Sequence, residues 1–278
     1  SEFGKKTKSS PFGSLDRPFN PPSVALGAQS TFVARTIDSH TQHLQEMLKR
    51  VHQHKGTSFL EVYQNCNIFN DGAFAHVKDK DVKDDNVLEL KHGEPMIFGK
   101  EQNKGIRLNG FNPEIVKIGT GISADDLLVH DENNRNLAGL LANFTDDDSL
   151  PTPLGVIYAE DQPRYEELMI EQIEEQISYQ VNEDGLHTSI NPSLQAEYIN
   201  ELYEIKNIFL YFNIKIPKLL DFQIMNMSSV LKNLFHKDNT IALFNGSNNA
   251  NYDQLIKIYN LQKDIKTKNL SKINNGIA

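Results

Sequence analysis

From Ser30 onward the apolar positions switch between two periods. "TFVARTI" (31–37) interleaves apolar and polar residues with β-branched members, which predicts a strand. "DSHTQ" follows, and Ser39 with Gln42 has the spacing of a capping box that opens a helix. Leu44, Met47, Leu48 and Val51 then recur at i, i+3, i+4 and i+7, the spacing of one helical face. Gly56 supplies the stop, and "TSFLEVY" (57–63) is a second strand. Strand, helix and strand within about 33 residues make a β–α–β unit, which predicts a parallel pair.

Residues 75–90 are charged and loop-like up to the apolar "VLEL". Residues 92–118 read as short strands between Gly-, Asn- and Lys-rich turns. Ser123 is a plausible cap in 123–144, a stretch that also predicts a short helix, and "LGVIYA" predicts a strand before an acidic helix ending near Ser178. Beyond residue 180 the pattern turns helical. Asn191 caps and Pro192 takes the first helical position of one helix, and Pro217 opens another. "YDQLIKIYNLQK" (252–263) reads as a third helix, and the polar tail after it is expected to fray.

Composition sharpens that division. Residues 1–179 carry 18 Lys+Arg against 28 Asp+Glu, whereas residues 180–278 carry 10 against 9. Asn rises from 12 in the longer segment to 16 in the shorter, and Ile from 11 to 13. The break predicts two segments of different origin, 1–179 and 180–278. A net charge of −9 speaks against a nucleic-acid surface, which needs a basic face. The apolar runs are too short to span a bilayer, and the first residues lack the apolar core of a secretory signal. No membrane is therefore expected, and a cytoplasmic location is. The first residue is not Met, so the natural start is expected upstream.

Candidate chemistry is sparse. His52 and His54 stand two apart, so on a helix they point to different faces. "TDDDS" (145–149) lacks the alternating ligands and Gly of a calcium loop, which favours a solvated acidic turn. There is no nucleophile elbow, no zinc-protease motif and no phosphate-binding loop. Cys66 remains, the one cysteine in 278 residues, three positions past a predicted strand in "EVYQNCNIFNDG". In open α/β sheets ligand chemistry collects at the carboxyl ends of strands. The residues alone leave two readings for Cys66: a buried, inert thiol, or one thiolate donated to a metal centre whose other ligands lie elsewhere.

"GKKTKSSPFGSLDRPFNPPSVALGAQSTFVARTID" and "EVYQNCNIFNDGAF" resemble the β subunit of 2-oxoacid:ferredoxin oxidoreductases, most closely the bacterial 2-oxoglutarate type. The resemblance runs from the first residue to about Ser178. It implies the C-terminal portion of a thiamine-diphosphate-binding α/β fold, a parallel sheet with flanking helices, followed here by a small all-α segment. It also implies oxidative decarboxylation of a 2-oxoacid to an acyl-CoA, with electrons passed through a [4Fe–4S] cluster to ferredoxin. The implied cofactors are thiamine diphosphate, Mg²⁺ and the cluster; the implied partners are an α subunit, ferredoxin, the 2-oxoacid and coenzyme A. Cys66 matches the family's cluster cysteine in the strand-exit motif. The family's C-x-x-C and its Gly-Asp-Gly motif, which holds thiamine diphosphate through Mg²⁺, are absent from the sequence. This chain alone is therefore expected to be incomplete and inactive.

Residues from about 180 to 250 resemble a short stretch of heparinase II/III-like proteins, carried by "DGLHTSINPSLQAEYINELYEI" and "LKNLFHKDNTIALFNGS". That resemblance leaves two alternatives open, a polysaccharide-lyase-like fragment or a non-catalytic fusion remnant. For His187 and Tyr198 packing within a helical fragment is the favoured reading.

Overall fold

A computed structural model describes residues 3–248, apart from 8, 9, 16, 17, 69, 70, 120 and 239. The expected third helix at 252–263 and the polar tail lie outside the described residues. The chain divides into two compact units, Ser1–Arg164 and Tyr165–Ala278.

The first unit opens with helix α1 (Pro21–Gly27), where Asn20 accepts the Ser23 amide at 3.2 Å. Strand β1 (Phe32–Ile37), helix α2 (Thr41–Gln53) and strand β2 (Ser58–Tyr63) follow. β1 and β2 pair in parallel, as the β–α–β pattern predicts. Two one-turn helices, α3 (Ala75–Lys78) and α4 (Lys83–Asn86), lead into β3 (Val87–Glu89). Next come the short strands β4 (Ile97–Phe98), β5 (Lys104–Asn109) and β6 (Asn112–Lys117), which form an antiparallel three-stranded sheet. Helix α5 (Arg135–Ala142), capped by Asn134, precedes the long strand β7 (Thr152–Ala159).

The main sheet has the order β2-β1-β7-β3. Its outer pairs are parallel, but β7 runs antiparallel to β1, so the sheet is mixed rather than wholly parallel. The alternating periods of 31–63 encode only the β1–β2 pair; the direction of β7 is set by the connections between residues 90 and 150.

Both faces of this sheet are covered, which is why all six residues of β1 are buried. Phe32, Ala34 and Val156 pack on Met47 of α2. On the opposite side Val33, Ile157 and Tyr158 meet Leu26 of α1, Leu141 of α5 and Phe98 and Ile106 of the small sheet. Two details of α2 differ from the sequence pattern. His40, not Ser39, stands at its N-cap with no side-chain cap bond, and Leu48 is half exposed. The inner face is wide enough only for Met47, with Val51 packed beside it. Gly56 adopts φ +124°, and a Cβ there would stand 2.2 Å from Thr31 Oγ1, so the turn into β2 admits no side chain.

The second unit holds α6 (Tyr165–Gln180), α7 (Pro192–Tyr211) and α8 (Lys218–Leu231) around Ile177, Ile199, Leu202, Leu220, Ile224 and Met227. Asn191 caps α7 through the Leu194 amide at 3.1 Å and Pro192 begins it, as the sequence predicts. The structural division at 164/165 precedes the compositional break near 179. The acidic helix α6 accounts for the difference, because its Ile173 and Ile177 join the core of the helical unit. Among the described residues no helix is long and apolar enough to cross a membrane.

Candidate functional site

The carboxyl end of β1 and β2 is where the sheet brings chemistry together. Arg35 on β1 and Glu61 on β2 are direct cross-strand neighbours in the parallel register. Arg35 is almost wholly buried, and its Nε donates to Glu61 Oε2 at 2.6 Å. Its guanidinium carbon lies 5.4 Å from the centre of the Tyr63 ring. Tyr63 stacks on Phe74 with ring centres 4.3 Å apart. Burial, partly offset by the Arg35 charge and a hydrogen bond with Thr145, pushes the Tyr63 phenol up to about 12, so it is a neutral hydroxyl at any physiological pH. Tyr63, Phe74, His76, Thr145 and Asp148 are among the walls of a cleft of about 390 Å³.

Cys66 stands three residues beyond Tyr63 and is exposed, so it is not a buried packing thiol. The loop that carries it is closed by Asn65. The Asn65 amide donates to Asn67 Oδ1 at 2.7 Å and to Asp71 Oδ1 at 2.9 Å, and its carbonyl accepts the Gly72 amide at 2.9 Å. These bonds hold Asn67, Asp71 and Gly72 close to Asn65. The loop base is fastened by Lys78, whose Nζ lies 2.7 Å from Asp38 just after β1.

Among the described residues no three His, Cys, Asp or Glu side chains gather as a metal site. An iron–sulfur cluster typically takes four thiolates, and this chain contains a single cysteine. The donor set present does not fit a complete cluster; Cys66 can supply one ligand of four. The Gly-Asp-Gly motif that the resemblance associates with thiamine diphosphate is absent from the sequence.

The other candidates are placed apart. His52 is exposed, while His54 bonds Thr31 Oγ1 through Nε2 at 2.8 Å and faces Asp161 at 3.4 Å. In "TDDDS", Asp146 accepts the side chain of Asn20, which caps α1, and Asp147 accepts the Ser149 hydroxyl within its own turn. His187 and Tyr198 meet edge to face at 5.5 Å, and His187 Nδ1 is taken by Ser189.

Sequence reading missed Arg35, Glu61 and Asn65. A signal was present: each strand run carries one charge at its fourth position, and parallel pairing sets those positions side by side. Buried His130 was also unflagged. Its Nε2 donates to the Val156 carbonyl at 2.8 Å, while Nδ1 has no partner among the described residues, and burial holds its pKa below the usual value.

No family model matches the chain. Over 175 residues it is 38% identical to the 2-oxoglutarate oxidoreductase subunit KorB of Mycobacterium tuberculosis, covering 62% of this chain and 46% of that protein. The chain resembles the β subunits of 2-oxoacid:ferredoxin oxidoreductases. A 2-oxoacid:ferredoxin oxidoreductase β subunit of Saccharolobus solfataricus is 34% identical over 32% of this chain and 28% of its own length. The KorB subunit of the 2-oxoglutarate synthase of Archaeoglobus fulgidus is 31% identical over 35% and 39% respectively. The chain spans less than half the length of each of these relatives. Among solved structures, the 2-oxoglutarate:ferredoxin oxidoreductase of Magnetococcus marinus, with 2-oxoglutarate, coenzyme A and succinyl-CoA bound, overlaps 63% of this chain and 45% of its own at a TM-score of 0.40 and 18% identity.

Proposed function

We propose that residues 1–179 are the C-terminal portion of a 2-oxoacid:ferredoxin oxidoreductase β subunit, of the 2-oxoglutarate type, and that Cys66 is one thiolate ligand of its iron–sulfur cluster. The observation that carries the reading is the position of Cys66. It is exposed, lies at the carboxyl end of β2, and rides on a loop pinned by Asn65, where a covering segment could bring the remaining ligands. The 38% identity to a KorB subunit supports the same assignment. The complete enzyme would work with an α subunit and use thiamine diphosphate, Mg²⁺, coenzyme A and ferredoxin, with most cofactor ligands supplied by polypeptide outside this chain. A soft thiolate suits iron in such a cluster better than the neighbouring carboxylates and amides do.

The helical residues after 179 form a separate addition in this reading. The compositional break near residue 179 supports that division, and α6 of the first segment contributes Ile173 and Ile177 to the core of the added helices.

The test is Cys66→Ala in a complete β subunit assembled with its α subunit. The expected result is loss of [4Fe–4S] absorption and of ferredoxin reduction, with decarboxylation of the 2-oxoacid retained, and partial iron retention in Cys66→Ser. The isolated 278-residue chain is expected to hold no stable cluster. A Cys66→Ala enzyme with full iron content and normal ferredoxin reduction overturns the assignment.

A further inference from the structure

Asn followed by Gly occurs three times in the chain, at 109–110, 245–246 and 275–276, and the last pair lies outside the described residues. In such a pair the glycine nitrogen can reach the asparagine side-chain carbonyl, because no Cβ stands in the way and the backbone is permissive. Whether it does so depends on how the fold holds the asparagine. The two described pairs are held in opposite ways.

Asn109 is the last residue of β5, and Gly110 and Phe111 make the turn into β6. All three are exposed. Gly110 sits at φ +62° with nothing within 4 Å of where a Cβ would stand, and among the described residues nothing accepts its amide. The Asn109 side chain makes one long contact, its Nδ2 3.5 Å from Glu114 Oε2, while Arg107 Nε holds the other Glu114 oxygen at 2.9 Å. Only the Asn109–Asn112 pair at the end of the ladder has to open for the side chain to fold back onto Gly110. Asn245, by contrast, is clamped twice. Its Nδ2 donates to the Ile190 carbonyl at 3.0 Å, and its backbone carbonyl accepts Asn191 Nδ2 at 3.0 Å. The second bond ties it to the N-cap residue of α7.

We propose that Asn109 is a site of spontaneous deamidation and that the fold protects the same dipeptide at Asn245. The Gly110 nitrogen adds to Asn109 Cγ and gives up its proton, the Cγ–Nδ2 bond breaks, and ammonia leaves with that proton. Water then opens the five-membered imide at either carbonyl, leaving aspartate or isoaspartate at 109. No oxidation state changes, and water is the only co-reactant. The product sets a new carboxylate diagonally across the ladder from Glu114, and like charges at that spacing weaken a strand pair. Conversion therefore loosens the hairpin tip that carries Phe111.

The test is incubation of the full chain in mildly alkaline buffer made with heavy-oxygen water, followed by tryptic digestion and mass spectrometry. The expected result is isotope uptake at Asn109, in separable aspartate and isoaspartate forms of the peptide 108–117. Uptake at Asn245 should be at least about tenfold slower, because two hydrogen bonds must break first. Asn112 in the same peptide should stay unchanged, since Pro113 has no N–H to give up. Asn109→Gln, a change at an exposed position whose longer side chain cannot close the five-membered ring, should abolish the uptake there. In guanidinium chloride Asn109 and Asn245 should react at similar rates, so that the fold and not the neighbouring residues sets the difference. The proposal is overturned by conversion of Asn245 as fast as Asn109 in the folded chain, by no conversion at Asn109, or by a preference for Asn109 that persists in denaturant.

Discussion

Glu61→Ala tests whether the Arg35–Glu61 pair holds the carboxyl end of the sheet. Arg35 keeps 1% of its side-chain surface in contact with solvent and Glu61 keeps 15%, with Nε and Oε2 2.6 Å apart. Removing the carboxylate strands a guanidinium inside the sheet. What remains to it is the Pro153 carbonyl at 3.4 Å, a long contact, and the Tyr63 ring. Breaking a buried pair from one side costs about 3–5 kcal/mol. Water can enter where the partly exposed Glu61 stood, so the lower end applies, about 3 kcal/mol. For a unit of this size each kcal/mol moves the midpoint by about 2–4 °C, which gives a fall of about 6–12 °C. Differential scanning calorimetry is the suitable assay, because two units can melt separately. Glu61→Gln, which keeps an acceptor, should lose about half as much. Arg35→Met combined with Glu61→Leu should return to within about 1 kcal/mol of the parent, since no charge is left buried. A Glu61→Ala loss below about 1 kcal/mol, or a double variant no better than the single one, would refute this account.

Gly56→Ala should destabilise the first unit by more than about 2 kcal/mol, because a Cβ at φ +124° would meet Thr31 Oγ1 at 2.2 Å; urea melts give the value. Asn65→Ala removes the acceptor of the Gly72 amide, and hydrogen exchange at that amide should speed up at least about tenfold while β1 amides stay protected. Acid should weaken the fold as pH falls through about 6.5. Burial lowers the pKa of His43, His54, His130 and His187 in the folded chain, so the unfolded chain binds more protons there. Stability is therefore complete above the unfolded value and declines as pH falls through it. His130→Gln should flatten the dependence of the melting midpoint on pH, and a midpoint that rises on acidification would contradict the sign.

The sequence by itself determined the local elements whose signals lie within a few residues of one another. The change of apolar period between 31 and 63 marked β1, α2 and β2 and their parallel pairing, and Asn191 with Pro192 marked the start of α7. It also singled out Cys66 and its strand exit, because position in a β–α–β unit is a local property. Tertiary structure decided what depends on partners distant in sequence. The antiparallel entry of β7 beside β1, the transfer of α6 to the helical core and the burial of Arg35 each arise from contacts across tens of residues. The cap at Ser39 was legible but unused, since His40 took the position and the helix is held by Met47 instead. Periodicity states which side of an element is apolar; only packing decides which charge may be buried there, because that depends on a matching partner arriving from elsewhere in the chain.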